Sequence, residues 1–385
     1  MAFETSSLTL TPVTTQDIDS GATFRQYRIA IEVYVVGTLC ALGIAGNLLS
    51  IVVLGRDRTI RRTTGFLLQM LAVADAVYLV ACIFHQMLTC IVECKLDWLP
   101  SVVRRRWPYI EVHVWPMASL AQTATVWLVV VLTAHRYVAI CRPLHAARYS
   151  TMSRVRKTVA AVWIFAAVYN LPRFFERVVG VVGVDVSANS TSPTVTSSPD
   201  LVPITSPETI VDSPRVVMQK SAMLNSRVYI LVYKMCLFFV VRFLIPFAAL
   251  AFCNQRLIRA MRASSRIRRH SGGNIVDSQD TRILVVVVLV FVICELPDLI
   301  MRACYMIYYH APALCAHLKT PLYYLNVASN LMLTVNSSIN FVIYCFMGRR
   351  FRLILLRTIR CRIDKHRPTP SFQFLLSVEG KRRQT

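Results

Sequence analysis

Apolar residues gather in seven stretches separated by polar segments: Ile29 to Leu54, Phe66 to Val92, Val114 to Ala134, Thr158 to Leu171, Tyr229 to Cys253, Ile283 to Met301 and Pro321 to Met347. A bilayer core roughly 30 Å thick takes about 20 helical residues to cross. Six of the stretches reach that length, and the fourth must borrow from its flanks. Hydrocarbon offers no water to backbone N–H and C=O groups, so segments that cross it pair those groups internally, as helices. The pattern therefore predicts an all-α protein, a seven-transmembrane helix bundle.

Composition agrees. Of 385 residues 55% are hydrophobic and only 16% charged, too few charges for a soluble surface of this size. The formal net charge of +23 first brings nucleic acid to mind. Its distribution argues otherwise, because 28 of the 43 Lys and Arg fall after the first, third, fifth and seventh stretches. By the positive-inside rule those segments are cytoplasmic and the N-terminus is extracellular. The charge then follows membrane topology, and no nucleic-acid partner is expected.

Met1 to Arg28 is polar and carries Glu4, Asp17 and Asp19, so no signal peptide is read there and the first span is expected to direct insertion. The segment from Arg173 to Ser226 contains the sequon Asn189-Ser190-Thr191, a candidate glycosylation site that fits an external loop. It is dense in Ser, Thr and Pro between Ser187 and Pro214, which predicts a disordered loop. A second sequon at Asn336 lies inside the seventh span and reads as fortuitous. Cys90, Cys94, Cys304 and Cys315 fall near outer helix ends, where pairing is open to them in three connectivities. Cys361, past the last span in a basic cluster, is a candidate for lipidation.

Single residues and motifs recur at one per span: Gly46-Asn47, Leu71-Ala72-Val73-Ala74-Asp75, Arg136-Tyr137, Trp163, Pro246, Cys294 with Pro297, and Asn340 with Tyr344. Gly348-Arg349-Arg350-Phe351-Arg352 follows the seventh. In this order they resemble the rhodopsin-like (class A) G protein-coupled receptors. The runs Cys294-Glu295-Leu296-Pro297 and Asn336 to Cys345 look like invertebrate FMRFamide-type and myosuppressin-type neuropeptide receptors. The resemblance implies a short membrane-parallel helix after the seventh span. It divides the chain into an extracellular N-terminus (1–28), a receptor domain (29–347, with a disordered loop over 173–226) and an amphipathic helix with cytoplasmic tail (348–385). It also implies a plasma-membrane receptor whose partners are an extracellular peptide, a heterotrimeric G protein and membrane lipids.

Three departures stand out: His135 replaces the usual acid before Arg136, Glu295 replaces a tryptophan, and Phe341 replaces a proline. Glu111 occupies the place where the class carries a cysteine for its disulfide, and the loop from Arg173 to Ser226 has no cysteine either, so that bridge is expected to be absent.

Polar groups inside spans are costly and point to function. The resemblance matches Asp75, Thr125, Asn336, Ser337 and Asn340 to a sodium-binding cluster, and oxygen-rich side chains suit a small hard cation. A hydrogen-bond network without an ion is the competing reading. Glu295, Asp298 and Arg302 share one face of the sixth span, and Arg242 is a further charge in the fifth. Each carboxylate either pairs internally or receives a ligand cation such as the arginine of an Arg-Phe-amide peptide end. Internal pairing is the expectation for Glu295, ligand contact for the more outward Asp298. Gln122 and Glu111 complete the ligand-binding candidates. Ala118 and Thr334 stand where amine receptors and photoreceptors need an aspartate and a lysine, which excludes both chemistries. Arg136, Tyr137, Tyr344 and Asp277 are the coupling candidates. Asp277 lies twenty residues before Pro297, roughly 30 Å along a helix, and would latch Arg136 in a resting state.

No catalytic constellation or metal spacing emerges, so an enzyme is not expected. The alternative is a transporter or channel of seven-helix architecture, which would need a polar path and often internal repeats; no repeat is visible.

Overall fold

The computed structural model describes residues 15–56, 62–94, 100–142, 151–182, 215–268, 276–310 and 319–366. Seven of its helices are long and apolar enough to cross a membrane. Helix α1 runs through Thr15–Arg28, a π-helical stretch Ile29–Val35 and Val36–Arg56; α2 through Arg62–Cys82, Ile83–Leu88 and Thr89–Glu93; α3 is Ser101–Cys141. Helix α4 is Met152–Asn170, closed by a 3-10 turn Leu171–Phe175. A two-stranded antiparallel hairpin follows, β1 (Arg177–Val182) on β2 (Arg215–Lys220), with Arg177 opposite Lys220. Helix α5 comprises Tyr229–Leu237, Val240–Leu244 and Ile245–Arg268; α6 is Val276–His310, α7 Lys319–Met347 and α8 Arg349–His366.

One expectation needs correction at the boundaries. The loop read as disordered over 173–226 is ordered at both ends, because Arg-Val-Val-Gly-Val-Val and Arg-Val-Val-Met-Gln-Lys supply the β-branched residues that pair as strands. The first helix starts at Thr15, well ahead of the apolar run at Ile29, since side-chain contacts at its end replace burial in lipid. There Arg28 pairs with Glu32 at 3.0 Å and with Glu93 of α2 at 2.8 Å, and Arg25 donates to the Cys94 carbonyl. The fourth span borrows its flanks as expected, reaching Met152 on one side.

The interior is apolar where helices meet, with Leu67, Leu71, Leu128, Leu132, Val287 and Phe291 in one cluster. Large apolar residues also cover the outside, such as Leu48, Ile164, Val168 and Phe346, the distribution a lipid solvent favours. Helices α1 and α7 touch closely: a Cβ at Gly43 would lie 2.5 Å from Ser338 Oγ, and one at Gly46 2.9 Å from Phe341 Cβ. The approach lets Asn47 Nδ2 donate to the Ser337 carbonyl at 2.9 Å and Ser338 Oγ to the Leu39 carbonyl at 3.2 Å. Phe341 thus fills, by ring packing, a place the resemblance assigns to proline. Helix α8 is anchored by Phe351, buried against Tyr344 and Phe341 with ring centres 5.6 and 5.9 Å apart.

Four π-helical stretches interrupt α1, α2 and α5, all in the halves of those helices that lie toward the hairpin. Such bulges widen a helix locally and concentrate at functional sites.

Candidate functional site: a charged cavity beneath the hairpin

A cavity of about 740 Å³ lies between the hairpin, α3, α5 and α6. Its wall includes Trp115, Glu176, Lys234, Phe238, Arg302 and Tyr305. Arg302, reached from α6, stacks over the Phe238 ring at 3.7 Å, while Arg242 and Arg173 stand 5.3 and 5.6 Å from the same ring centre. An aromatic face attracts a guanidinium, and desolvation strengthens that attraction. Three arginines around one phenylalanine would repel one another without nearby carboxylates.

Two carboxylates are supplied by α6. Asp298 accepts from Arg302 Nε at 3.0 Å, one turn along the same helix, and from Ser329 Oγ at 3.5 Å. Glu295 pairs with Arg242 Nη2 at 3.4 Å, and both side chains are buried. Higher up, Glu176 accepts from Tyr229 Oη at 2.8 Å and from Lys234 Nζ at 3.3 Å. Asp298 and Glu295 are thus both engaged within the protein. A ligand cation reaching Asp298 has Arg302 to displace.

Glu111 does not line this cavity. It is buried, in hydrogen-bond contact with His85 Nδ1, 3.3 Å from Thr89 Oγ1 and 3.8 Å from Arg177 Nη1. Gln122 lines a second, smaller cavity of about 30 Å³ beneath the first, together with Arg173, Arg242, Asp298 and Arg302. Of the aromatics at this end, Trp115 and Tyr305 line the large cavity. Tyr323 and Tyr324 instead meet Phe24 of α1, at 5.5 and 5.1 Å.

The polar cluster in the middle of the bundle is a connected network. Asp75 accepts from Asn340 Nδ2 at 2.8 Å through one oxygen and from Thr125 Oγ1 at 3.1 Å through the other. Asn336 and Ser337 are buried on the same helix as Asn340. The donor types fit a small cation, and both Asp75 oxygens already accept a hydrogen bond. At the opposite end of the bundle Arg136 is half-buried, Tyr137 meets Phe252 of α5 at 5.8 Å, and Tyr344 is buried under Phe351. The side chains of Asp277 and Cys361, and all of Asn189, lie outside the described residues.

Residues 46–184 match the family described as 7 transmembrane receptor (rhodopsin family). That match takes in about a third of the chain. The chain is 28% identical over 354 residues to an FMRFamide receptor of Drosophila melanogaster, covering 88% of this chain and 56% of the relative. It is 28% identical over 252 residues to an FMRFamide peptide receptor of Caenorhabditis elegans, covering 64% and 51%. With the human motilin receptor it shares 27% identity over 373 residues, covering 86% and 80%. The chain spans about half the length of the first two relatives.

Sequence reasoning passed over Arg173, Glu176, Arg177 and Lys234. The last offered a signal, a lysine inside the fifth apolar run, which costs energy in lipid unless paired. Arg173, Glu176 and Arg177 sit just past the fourth run, where a charge reads as solvated until the hairpin folds over it.

Proposed function

We propose that this receptor binds an extracellular peptide in the cavity beneath the hairpin and activates a heterotrimeric G protein from the plasma membrane. The observation that carries the proposal is the cavity itself: about 740 Å³, walled by aromatic rings and paired charges at one end of a rhodopsin-family bundle. A volume of that size suits a few residues of peptide. The names of the FMRFamide receptors among its relatives favour an amidated peptide ending in arginine and phenylalanine. Its guanidinium would exchange with Arg302 at Asp298 through a charge-assisted hydrogen bond. Its aromatic ring would meet Phe238, Trp115 or Tyr305.

The hairpin end would face outward and Arg136 inward, as the basic segments require. Binding would favour the bundle arrangement that opens the Arg136 end, where Arg136, Tyr137, Tyr344 and the basic end of α5 would contact the G protein. The test is nucleotide exchange on a G protein by the purified receptor on addition of amidated Phe-Met-Arg-Phe peptides. Exchange that rises with peptide concentration supports the reading; peptide-independent ion flux without exchange would favour a channel instead.

A further inference from the structure

The small cavity under Phe238 holds an excess of hydrogen-bond donors. Gln122, Arg173 and Arg242 all line it. Gln122 Nε2, Arg173 Nε and Arg242 Nε are buried and have no acceptor among the described residues. The one lining acceptor in the same condition is Gln86 Oε1. Buried N–H groups almost always find a partner, so three left open around one cavity mark a missing acceptor.

Charge points the same way. Arg302 is matched by Asp298 at 3.0 Å and Arg242 by Glu295 at 3.4 Å. Arg173 is buried, its Nη1 donates to the neutral Ser119 hydroxyl at 3.2 Å, and no carboxylate lies within 4 Å of it among the described residues. Glu176, the next acid along the chain, is engaged by Lys234 and Tyr229. A buried cation whose nearest acid lies beyond 4 Å and is shared with another base is costly, and a single negative group beside it offsets part of that cost.

We propose that this cavity binds one small anionic group, a halide ion or a carboxylate brought by the ligand, held between the guanidiniums of Arg173 and Arg242 and the amide of Gln122. A space of about 30 Å³ admits one or two water-sized groups and excludes a bulky anion. The site stands without the peptide reading; only the carboxylate source rests on it.

The experiment follows thermal unfolding of the purified full-length receptor at constant sodium, with gluconate replaced stepwise by chloride, bromide or formate. A saturable rise in unfolding temperature is expected for the small anions. It should be lost in Arg173→Gln and weakened in Gln122→Ala. If neither variant folds, the anion series on the unaltered receptor still decides, since equal unfolding temperatures in gluconate, chloride and formate would overturn the proposal and assign the donors to water. An anion effect that survives undiminished in both variants would place it elsewhere and overturn it too.

The two sources separate with amidated Phe-Met-Arg-Phe peptides carrying either glutamate or glutamine at the N-terminal end. A free ion predicts equal affinity for the pair and the same anion effect without peptide. A ligand carboxylate predicts tighter binding of the glutamate peptide, competition by chloride, and loss of the preference in Arg173→Gln. These outcomes need no G protein, so they succeed or fail apart from the signalling proposal.

Discussion

Arg177, the first residue of β1, stands 3.8 Å from the buried carboxylate of Glu111 on α3. The same guanidinium lies 5.9 Å from the Trp115 ring centre, and His85 holds the carboxylate from the α2 side. Where the rhodopsin-like class is expected to fasten this loop by a disulfide, an ionic contact on a short hydrogen-bonded scaffold joins the same two elements.

Glu111→Ala should therefore loosen the hairpin without unfolding the bundle. Losing an ionic contact at 3.8 Å costs about 1 kcal/mol, so backbone amides in Arg177–Val182 and Arg215–Lys220 should exchange roughly 5-fold faster. Unchanged exchange would mean that β1 and β2 hold each other without α3.

Mass mapping under non-reducing conditions should find no crosslinked peptide from Arg173 to Ser226. A bridge, where one forms, should join Cys90 to Cys94, whose buried sulfurs lie 3.6 Å apart one turn from each other. A loop crosslink elsewhere would remove the ionic account of how the hairpin is held.

Asp298→Asn should lower the potency of a cationic amidated peptide at least tenfold, about 1.4 kcal/mol. It also frees Arg302, so surface expression must be matched. Arg302→Gln, which removes the competitor, should leave potency equal or better. Loss of potency in both variants would make the pair a structural unit and leave the peptide cation to another acid.

Asp75→Asn should abolish any stabilisation of the purified receptor by sodium over potassium at constant chloride, because the only carboxylate in that network becomes an amide. Equal unfolding temperatures in sodium and potassium for the unaltered receptor would identify the cluster as a hydrogen-bond network alone.

Arg136→Ala should abolish nucleotide exchange while leaving peptide binding largely intact, and Asp277→Ala should raise ligand-free exchange a few-fold if the two side chains latch. A pair at the water boundary contributes only about 1 kcal/mol or less, which limits the rise. Basal exchange unchanged at matched expression would leave Arg136 as a partner contact alone.

Much of the bundle was legible because lipid imposes length and apolarity on each span, and both can be counted along a sequence. The shared face of Asp298 and Arg302 was likewise readable from their spacing, but their pairing was not: ligand contact was the expectation for Asp298. What Glu295 touches was harder: helical spacing gives its height and face, and only the packing of α5 against α6 selects Arg242. The hairpin escaped because two six-residue strands are separated by a polar segment that dominates the composition of the loop. Arg173 escaped for a related reason, its burial being produced by elements that come later in the chain.

The extended start of α1 is fastened to neighbouring helices and not to the cavity. Arg25, Arg28, Phe24 and Tyr27 tie it to the ends of α2 and α7. Among the described residues, the large cavity draws its wall from α3, the hairpin, α5 and α6, and none from α1 or α7. A molecule held in that cavity would leave the N-terminal helix untouched, and cutting the chain back to Ile29 should disturb the ends of α2 and α7 before it disturbs the cavity.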